Sequence, residues 1–274
     1  MRMLITGISG FLGGVTARRA SAAGWAVSGT YFGNPADRGE RLDIRDRRAV
    51  DDLVRRARPD VVVHTAAGRE DWPLIADGSA YVALAAAGAG ARLVHVSTEA
   101  IFSGRDGEYD EDALPDPIYR YGAAKAAAET AVRAIDPSAA VVRTSLILGH
   151  GRGLPEKLTH DLAAGRANGL LFTDQIRKPV HVDDLADALI ELAGSDYAGV
   201  LNVAGADAIS RYGLGLLVAE RDGLDPAAIP HGPMPPGLTL PADIRLTIDR
   251  ATGLLRTRLR GCREFVPQDA PSPA

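Results

Sequence analysis

The chain is poor in several residue types, and each shortage excludes something. Of 274 residues only Cys262 is a cysteine, which rules out an intramolecular disulfide framework and any cysteine-based zinc site. The six histidines form no H-x-x-x-H pair, so no metal is expected. No apolar run approaches the roughly 18 residues that a membrane span needs. The first apolar segment is broken by Gly7, Gly10, Gly13 and Gly14 and does not read as a signal peptide. Positive charge is not in excess either. A net charge of -4 argues against electrostatic binding to nucleic acid or to a membrane, and the expectation is a cytoplasmic protein. Lysine is the scarcest cation, with Lys125, Lys157 and Lys178 the only three among 31 basic residues. That arginine bias, with heavy use of alanine, points to a GC-rich bacterial genome.

What remains is ordinary for a globular chain, at 46% apolar and 24% charged residues. Strand-like and helix-like segments alternate. Residues 3–6, 25–30, 41–44, 60–64, 92–96 and 139–143 read as strands, and 10–23, 47–57, 79–89 and 119–135 as helices. Residues 104–117, with two glycines, two prolines and several acids, read as a loop. Apolar strands separated by helices imply a parallel sheet covered on both faces. After Gly149 the rhythm loosens. Residues 151–178 read as loops and one helix, 180–192 as a helix and 200–203 as a strand, while six prolines make 226–241 irregular. The expected organisation is α/β: a Rossmann-type, doubly wound domain over residues 1–150, with 179–204 returning to it. A smaller C-terminal substrate-binding lobe takes 151–178 and 205–262, and residues 263–274 are expected to fray.

Residues 6–14 read Thr-Gly-Ile-Ser-Gly-Phe-Leu-Gly-Gly, a G-x-x-G-x-x-G turn between the first strand and the first helix. Such a turn lets a pyrophosphate approach backbone N–H groups at the positive end of the helix. Gly7, Ser9, Gly10, Phe11, Leu12 and Gly13 are therefore the expected dinucleotide contacts. The second strand ends Gly29-Thr30-Tyr31 without the acid that commonly holds the ribose hydroxyls of NAD, and Arg38 and Arg41 follow. NADP(H) is favoured over NAD(H). Asp43, with Ile44 beside it, is placed to meet the adenine edge, and Asp46 is the better cap for the helix that begins near Arg47.

Tyr121 and Lys125 lie one helical turn apart on one face. An ammonium beside a phenol favours the phenolate, and such a tyrosine can protonate the alkoxide formed when hydride reaches a carbonyl. Upstream, the strand through His95 runs into Ser97-Thr98-Glu99-Ala100, at the carboxyl edge where open α/β sheets bind ligands. Thr98 is the expected holder of the substrate carbonyl oxygen, with Ser97 its nearest competitor.

Taken together and in order, six segments carry a resemblance. They are Gly7-x-x-Gly10-x-x-Gly13, Val61 to Ala67, Ser97 to Phe102, Tyr121-x-x-x-Lys125 with Glu129, Arg143-Thr144-Ser145, and Pro179 to Ala186. Over about Met3 to Arg260 the chain resembles the extended short-chain dehydrogenase/reductases. More narrowly, it resembles their dTDP-4-dehydrorhamnose reductase-like, sugar-nucleotide-binding branch. The resemblance implies a catalytic set of Thr98, Tyr121 and Lys125, with Ala66 and Ala67 lining the cofactor and a lobe closing over a nucleotide-linked sugar. It also shows departures. His64 stands where the reductases usually carry Asn, and Gly68-Arg-Glu-Asp-Trp72 lacks the longer acidic segment linked to metal binding in some of them. Thr98-Glu99-Ala100 replaces the Thr-Asp-Glu of the dehydratases, so 4,6-dehydration loses a proton-transfer group.

The remaining candidates divide between substrate and structure. Glu99, next to Thr98, and His64, at a strand end near the expected nicotinamide, are counted as substrate contacts. His95 and Arg143 are read as core residues, and Asp183-Asp184 as a helix cap. The expected activity is NAD(P)H-dependent reduction of a 4-keto group on a nucleotide-activated deoxysugar, with the proton from Tyr121. A homodimer is compatible with this. The rival expectations are a cofactor-binding regulatory or scaffold subunit, and a ketoreductase of a secondary metabolite.

Overall fold

A computed structural model describes residues 1–68 and 71–269. The chain opens with β1 (Arg2–Thr6), α1 (Phe11–Ala22), β2 (Ala26–Tyr31), β3 (Gly39–Arg41), α2 (Arg47–Ala57) and β4 (Val61–His64). A π-helical turn (Pro73–Asp77) leads into α3 (Gly78–Gly88) and then β5 (Arg92–Thr98). A 3-10 turn (Glu99–Ile101) precedes β6 (Gly107–Tyr109), α4 (Arg120–Ile135) and β7 (Ala140–Thr144). Next come β8 (Ile147–Leu148), α5 (Leu154–Ala163), β9 (Leu171–Phe172), β10 (Ile176–Arg177), β11 (Val180–His181), α6 (Val182–Ala193) and β12 (Gly199–Val203). The chain continues through β13 (Ile209–Ser210), α7 (Arg211–Asp222), β14 (His231–Gly232), β15 (Ile244–Leu246), α8 (Asp249–Leu254) and α9 (Cys262–Phe265).

Seven strands form one parallel sheet in the order β3-β2-β1-β4-β5-β7-β12. The chain runs outward from β1 on one side, then returns and runs outward on the other. The direction therefore switches between β1 and β4, and ligands of such sheets bind at the carboxyl edge of that switch. The β-branched run Val61-Val62-Val63 fits a strand buried on both faces. Met3, Ile5, Val63 and Val142 pack with Leu12 and Val15 of α1 and Leu185 and Leu189 of α6. Leu4, Val62, Leu93 and Val141 pack with α2 and α3. The fold is the doubly wound α/β sheet expected from the alternation of segments.

Near the carboxyl edge, polar residues replace the aliphatic ones on the α3–α4 face. Thr6, His64 and His95 lie in register across β1, β4 and β5. One step further on, Ser97, Arg143 and Asn202 align across β5, β7 and β12.

Three boundaries differ from expectation. The third strand is Gly39–Arg41 rather than residues 41–44, because Leu42 and Ile44 turn their side chains into the core under α2 instead of extending the sheet. Within 104–117, β6 pairs in parallel with β15. The segment from 263 does not fray as far as residue 269: α9 and a 3-10 turn (Val266–Gln268) bury Phe265 and Val266 against Leu148 and Leu214. Residues 270–274 of the expected tail lie outside the described residues, as do Arg69 and Glu70 of the departure noted after Ala67.

Candidate active site

The glycine turn is tight because nothing larger fits. Gly7 has a φ of +79°, and its N–H and that of Ile8 both reach Thr30 O at 2.9 Å. A β-carbon on Gly13 would lie 2.2 Å from Gly7 O, and one on Gly7 would lie 2.9 Å from Ala66 N. These contacts lock β1, the head of α1 and the chain after β4 together. No side chain caps α1, and its first turn carries no acid, so its leading N–H groups are left for an anion. Ser9 and Gly10 are exposed, Phe11 is half-buried, and Leu12 and Gly13 are buried. Ala66 and Ala67 follow β4 directly alongside. This cradle fits a dinucleotide pyrophosphate.

At the far end of the cradle, Phe32 is exposed, with the guanidinium carbons of Arg41 and Arg45 at 5.5 and 5.4 Å from its ring centroid. Asp43 is held by Arg45 at 2.6 Å, which keeps its carboxyl below the usual range, and Ile44 beside it is buried. Asp46 caps α2 by accepting from the N–H groups of Arg48 and Ala49.

The catalytic candidates converge where β5 meets α4. Thr98 ends β5 and caps the following turn by accepting from Ala100 N at 3.2 Å. Its hydroxyl lies near enough to the Tyr121 phenol to pull it toward the phenolate. Burial pushes that phenol upward and outweighs the downward pull of Thr98, with Glu99 adding to the rise. The expectation of a lowered Tyr121 is therefore corrected: burial outweighs the groups that favour its phenolate. Lys125 is buried and donates to Val96 O at 2.7 Å, and burial lowers its ammonium to about 8 against the pull of Glu129. A phenol held protonated is suited to giving a proton away.

His64 takes a different place from the one expected. Ser79 Oγ donates to Ile75 O at 2.6 Å and so accepts from His64 Nε2 at 3.0 Å, while Thr6 Oγ1 donates to His64 Nδ1 at 2.6 Å. Both ring nitrogens are engaged by the fold, the ring is neutral, and burial pushes it down to about 3. His95 stacks on it with centroids 5.2 Å apart, fully buried, with both nitrogens unpartnered among the described residues. Arg143 and Glu129 form a buried ion pair at 3.0 Å, and Ser97 donates to the same carboxylate. Ser97 is thereby turned to Glu129, whereas Thr98 is the hydroxyl of the two on the side of Tyr121.

Glu99 is buried and paired through Oε1 with Arg177 Nε at 3.1 Å. Burial pushes its carboxyl up to about 7 despite Arg177, Ser145 and Arg211. Arg177 and Arg211 were not singled out from the sequence. For Arg211 the available signal was a cation at the first position of a helix, where an acid is the ordinary choice.

One cluster among the described residues has the composition of a metal site. Ligand atoms of His150, His181 and Asp183 lie within 4.8 Å of one another. His181 Nδ1, however, accepts the Asp183 N–H at 3.1 Å, so the proton of the neutral ring sits on Nε2 facing Asp269 at 3.5 Å. His150 lies between Asp183 (3.1 Å) and Asp269 (3.5 Å). These nitrogens are used in a clasp that holds residue 269 to the body of the protein.

The model of the RmlD substrate binding domain family matches residues 1–269. The chain belongs to that family. It is 34% identical over 247 residues to the dTDP-4-dehydrorhamnose reductase of Mycobacterium tuberculosis, covering 83% of this chain and 78% of the relative. It is 30% identical over 238 residues to methionine adenosyltransferase 2 subunit beta of Xenopus laevis, covering 80% and 71%. Among solved structures, a hypothetical dTDP-4-dehydrorhamnose reductase from Sulfolobus tokodaii superposes with a TM-score of 0.84 at 29% identity, covering 95% and 97%. The dTDP-4-dehydrorhamnose reductase of Bacillus anthracis, in complex with NADP, shares the fold with a TM-score of 0.83 at 24% identity, covering 98% of each chain. Within this RmlD-type chain, no helix of the described residues is long and apolar enough to cross a membrane.

Proposed function

We propose that this protein is an NADPH-dependent reductase of a 4-keto group on a nucleotide-activated deoxysugar. The observation that carries the reading is the convergence of Thr98 at the end of β5 with Tyr121 and a buried Lys125 on α4, at the carboxyl edge beside the Gly7 cradle. The uncapped N–H groups at the head of α1, from Phe11 to Gly13, would hold the pyrophosphate, with Ala66 and Ala67 along the nicotinamide side. A bound nicotinamide supplies the hydride. Thr98 Oγ1 then holds the carbonyl oxygen, and Tyr121 Oη gives it the proton as negative charge develops. The Lys125 ammonium stabilises the phenolate left behind. The neutral imidazoles of His64 and His95 keep a second positive charge away from that ammonium. NADPH is the preferred partner because no acid closes β2 and Arg38 and Arg41 follow it. Sequence likeness to the mycobacterial reductase supports the same chemistry.

A second reading has its own support in the likeness to methionine adenosyltransferase 2 subunit beta: a cofactor-binding subunit that serves a partner enzyme. The two differ in turnover. NADPH oxidation with dTDP-4-keto-6-deoxysugars, compared with NADH and with Tyr121→Phe, separates them. Turnover lost in the variant supports the reductase. Tight cofactor binding with no ketone consumed supports the subunit.

A further inference from the structure

The segment that leaves β4 runs beside the glycine cradle, and one chain of hydrogen bonds ties both its ends. Thr65 N and Oγ1 donate to Thr6 O at 3.2 and 2.7 Å, and a β-carbon on Gly7 would lie 2.9 Å from Ala66 Cα. His64 ends β4 and stands at the start of the segment, while Ile75 and Ser79 stand beyond its far end. The chain between them runs in one direction. Thr6 Oγ1 donates to His64 Nδ1 at 2.6 Å, His64 Nε2 donates to Ser79 Oγ at 3.0 Å, and Ser79 Oγ donates to Ile75 O at 2.6 Å. Thr6, His64 and Ser79 are all buried, so these bonds form in an interior of low dielectric. His95 stacks on the His64 ring without hydrogen-bonding to it. Ile75 belongs to the π-helical turn Pro73–Asp77, a widened turn of the kind that recurs at functional sites. That turn packs on α4, the helix of Tyr121 and Lys125. One imidazole thus joins the cradle at Thr6 to the turn that braces the acid–base helix.

We propose that His64 is a positioning residue: through Thr6, Ser79 and Ile75 it holds the Ala66–Ala67 segment, and the nicotinamide beside it, in register with Tyr121. The assignment rests on the reductase reading for the place of the nicotinamide and for the proton donor. A neutral imidazole has an acceptor and a donor nitrogen and so bridges two hydroxyls, whereas an apolar side chain of similar size fills the space and holds neither. The bridge matters because hydride goes to the carbon and the proton to the oxygen of one carbonyl. The groups that deliver them stand on different elements, and an error of an ångström between them costs on the order of 10²-fold in rate.

The test uses the full chain as wild type, His64→Leu, His64→Asn and Ser79→Ala. Calorimetry compares NADP+ with 2′,5′-ADP, which carries the adenosine end and lacks the nicotinamide. Reduction of a dTDP-4-keto-6-deoxysugar is followed with NADPH and with NADPH bearing deuterium at the transferred position. His64→Leu should bind NADP+ about tenfold more weakly and 2′,5′-ADP within about twofold of wild type. Its kcat should fall on the order of 10²-fold with little change in the KM for the ketone, and its deuterium effect should grow as hydride transfer becomes the slow step. His64→Asn recovers part of both losses, since Oδ1 still accepts from Thr6. Ser79→Ala releases the other end of the chain and shows the same pattern more weakly. If His64→Leu does not fold, these two variants carry the comparison. The proposal is overturned if the variants melt lower yet keep the ratio of the two affinities, and kcat, within about twofold of wild type, less than one hydrogen bond contributes. It is equally overturned if NADP+ and 2′,5′-ADP lose affinity alike, because His64 then supports the whole cradle. A selective loss of NADP+ in variants of a chain that reduces no ketone would remove the reductase reading and leave the placing of the nicotinamide intact.

Discussion

A β-carbon on Gly122 would lie 2.0 Å from the carbonyl oxygen of Ala100. The second residue after Thr98 and the residue after Tyr121 are thus in backbone contact. That contact fixes the distance between the Thr98 hydroxyl and the Tyr121 phenol, the proposed holder of the carbonyl oxygen and the proposed proton donor. Gly122→Ala must push α4 away from the turn after β5. Overpacking of this kind costs about 1–3 kcal/mol of stability. The larger effect falls on the reaction, because an error of an ångström in such a pair costs on the order of 10²-fold in rate. We expect kcat to collapse while NADPH affinity, set by the distant glycine cradle, holds. Equal losses in both would show that the contact only supports the fold.

The role proposed for Lys125 implies a pH limit on the reaction. Its ammonium titrates near 8 because it is buried. Below that pH the charge is present to stabilise the Tyr121 phenolate, and above it the charge is lost. The rate of carbonyl reduction should be level from pH 6 to 7.5 and fall through about 8, and Lys125→Met should be slow at every pH. A rate that stays flat to pH 9.5 would contradict the role given to Lys125. Stability moves the other way in the same range. The unfolded lysine binds more protons than the folded one between about 8 and its ordinary value, so stability rises with pH there.

Glu99 has the opposite sign. Its folded carboxyl titrates near 7, above the ordinary 4.5, chiefly because of burial. Between those values the folded state binds more protons than the unfolded chain. The stability it contributes is full below about pH 4.5 and is lost as pH rises through 7. Glu99→Gln cannot ionise but can still accept from Arg177. It should melt close to wild type at pH 5 and gain relative to wild type by pH 8. A difference independent of pH would mean that Glu99 remains charged throughout.

Much of this was readable from residues whose chemistry is local. The glycine turn, the Tyr121–Lys125 spacing and the alternation of apolar segments each state their geometry within a few positions. What was not legible depends on contacts across the chain. Leu42 and Ile44 read as a strand because burial under α2 and burial in a sheet demand the same residue types. His64 read as a substrate contact because its partners, Thr6 and Ser79, come from elsewhere in the chain. The direction of the Tyr121 shift depends on how deeply the phenol is enclosed. Arg211 became visible only once β10 and β13 had placed it beside Arg177.

The clasp at the end of the described chain makes a prediction about stability without one about chemistry. Asp269 accepts from His150 N at 2.5 Å and faces His181. Burial would raise its carboxyl, but the hydrogen bonds from His181 and His150 hold it below the ordinary range. Asp269→Ala leaves those donors unpaired, which costs about 1–3 kcal/mol. The melting temperature should drop with kcat nearly unchanged. Because the ring nitrogens are already engaged, a chelator should leave the melting curve of wild type where it was. A large downward shift with chelator would mean that the His150–His181–Asp183 cluster holds a metal after all.

Cofactor choice should rest on the arginines after β2. Arg38 holds a left-handed backbone at φ +60° and donates to Ser21 Oγ at 3.0 Å, and Arg41 donates to Phe32 O at 3.3 Å. Both contacts are exposed, so the guanidinium groups can turn to a 2′-phosphate at little cost in stability. Each charge-assisted hydrogen bond to that phosphate contributes about 1.5–3 kcal/mol. The Arg38→Ala, Arg41→Ala double variant should therefore raise the KM for NADPH by at least about tenfold and leave the KM for NADH within about twofold, since NADH has no phosphate to lose. The proposed NADPH preference, resting on contacts open to screening, should also shrink as salt is added. If the variant loses NADH and NADPH alike, the arginines shape the adenosine pocket through Phe32, and the 2′-phosphate is recognised by other residues.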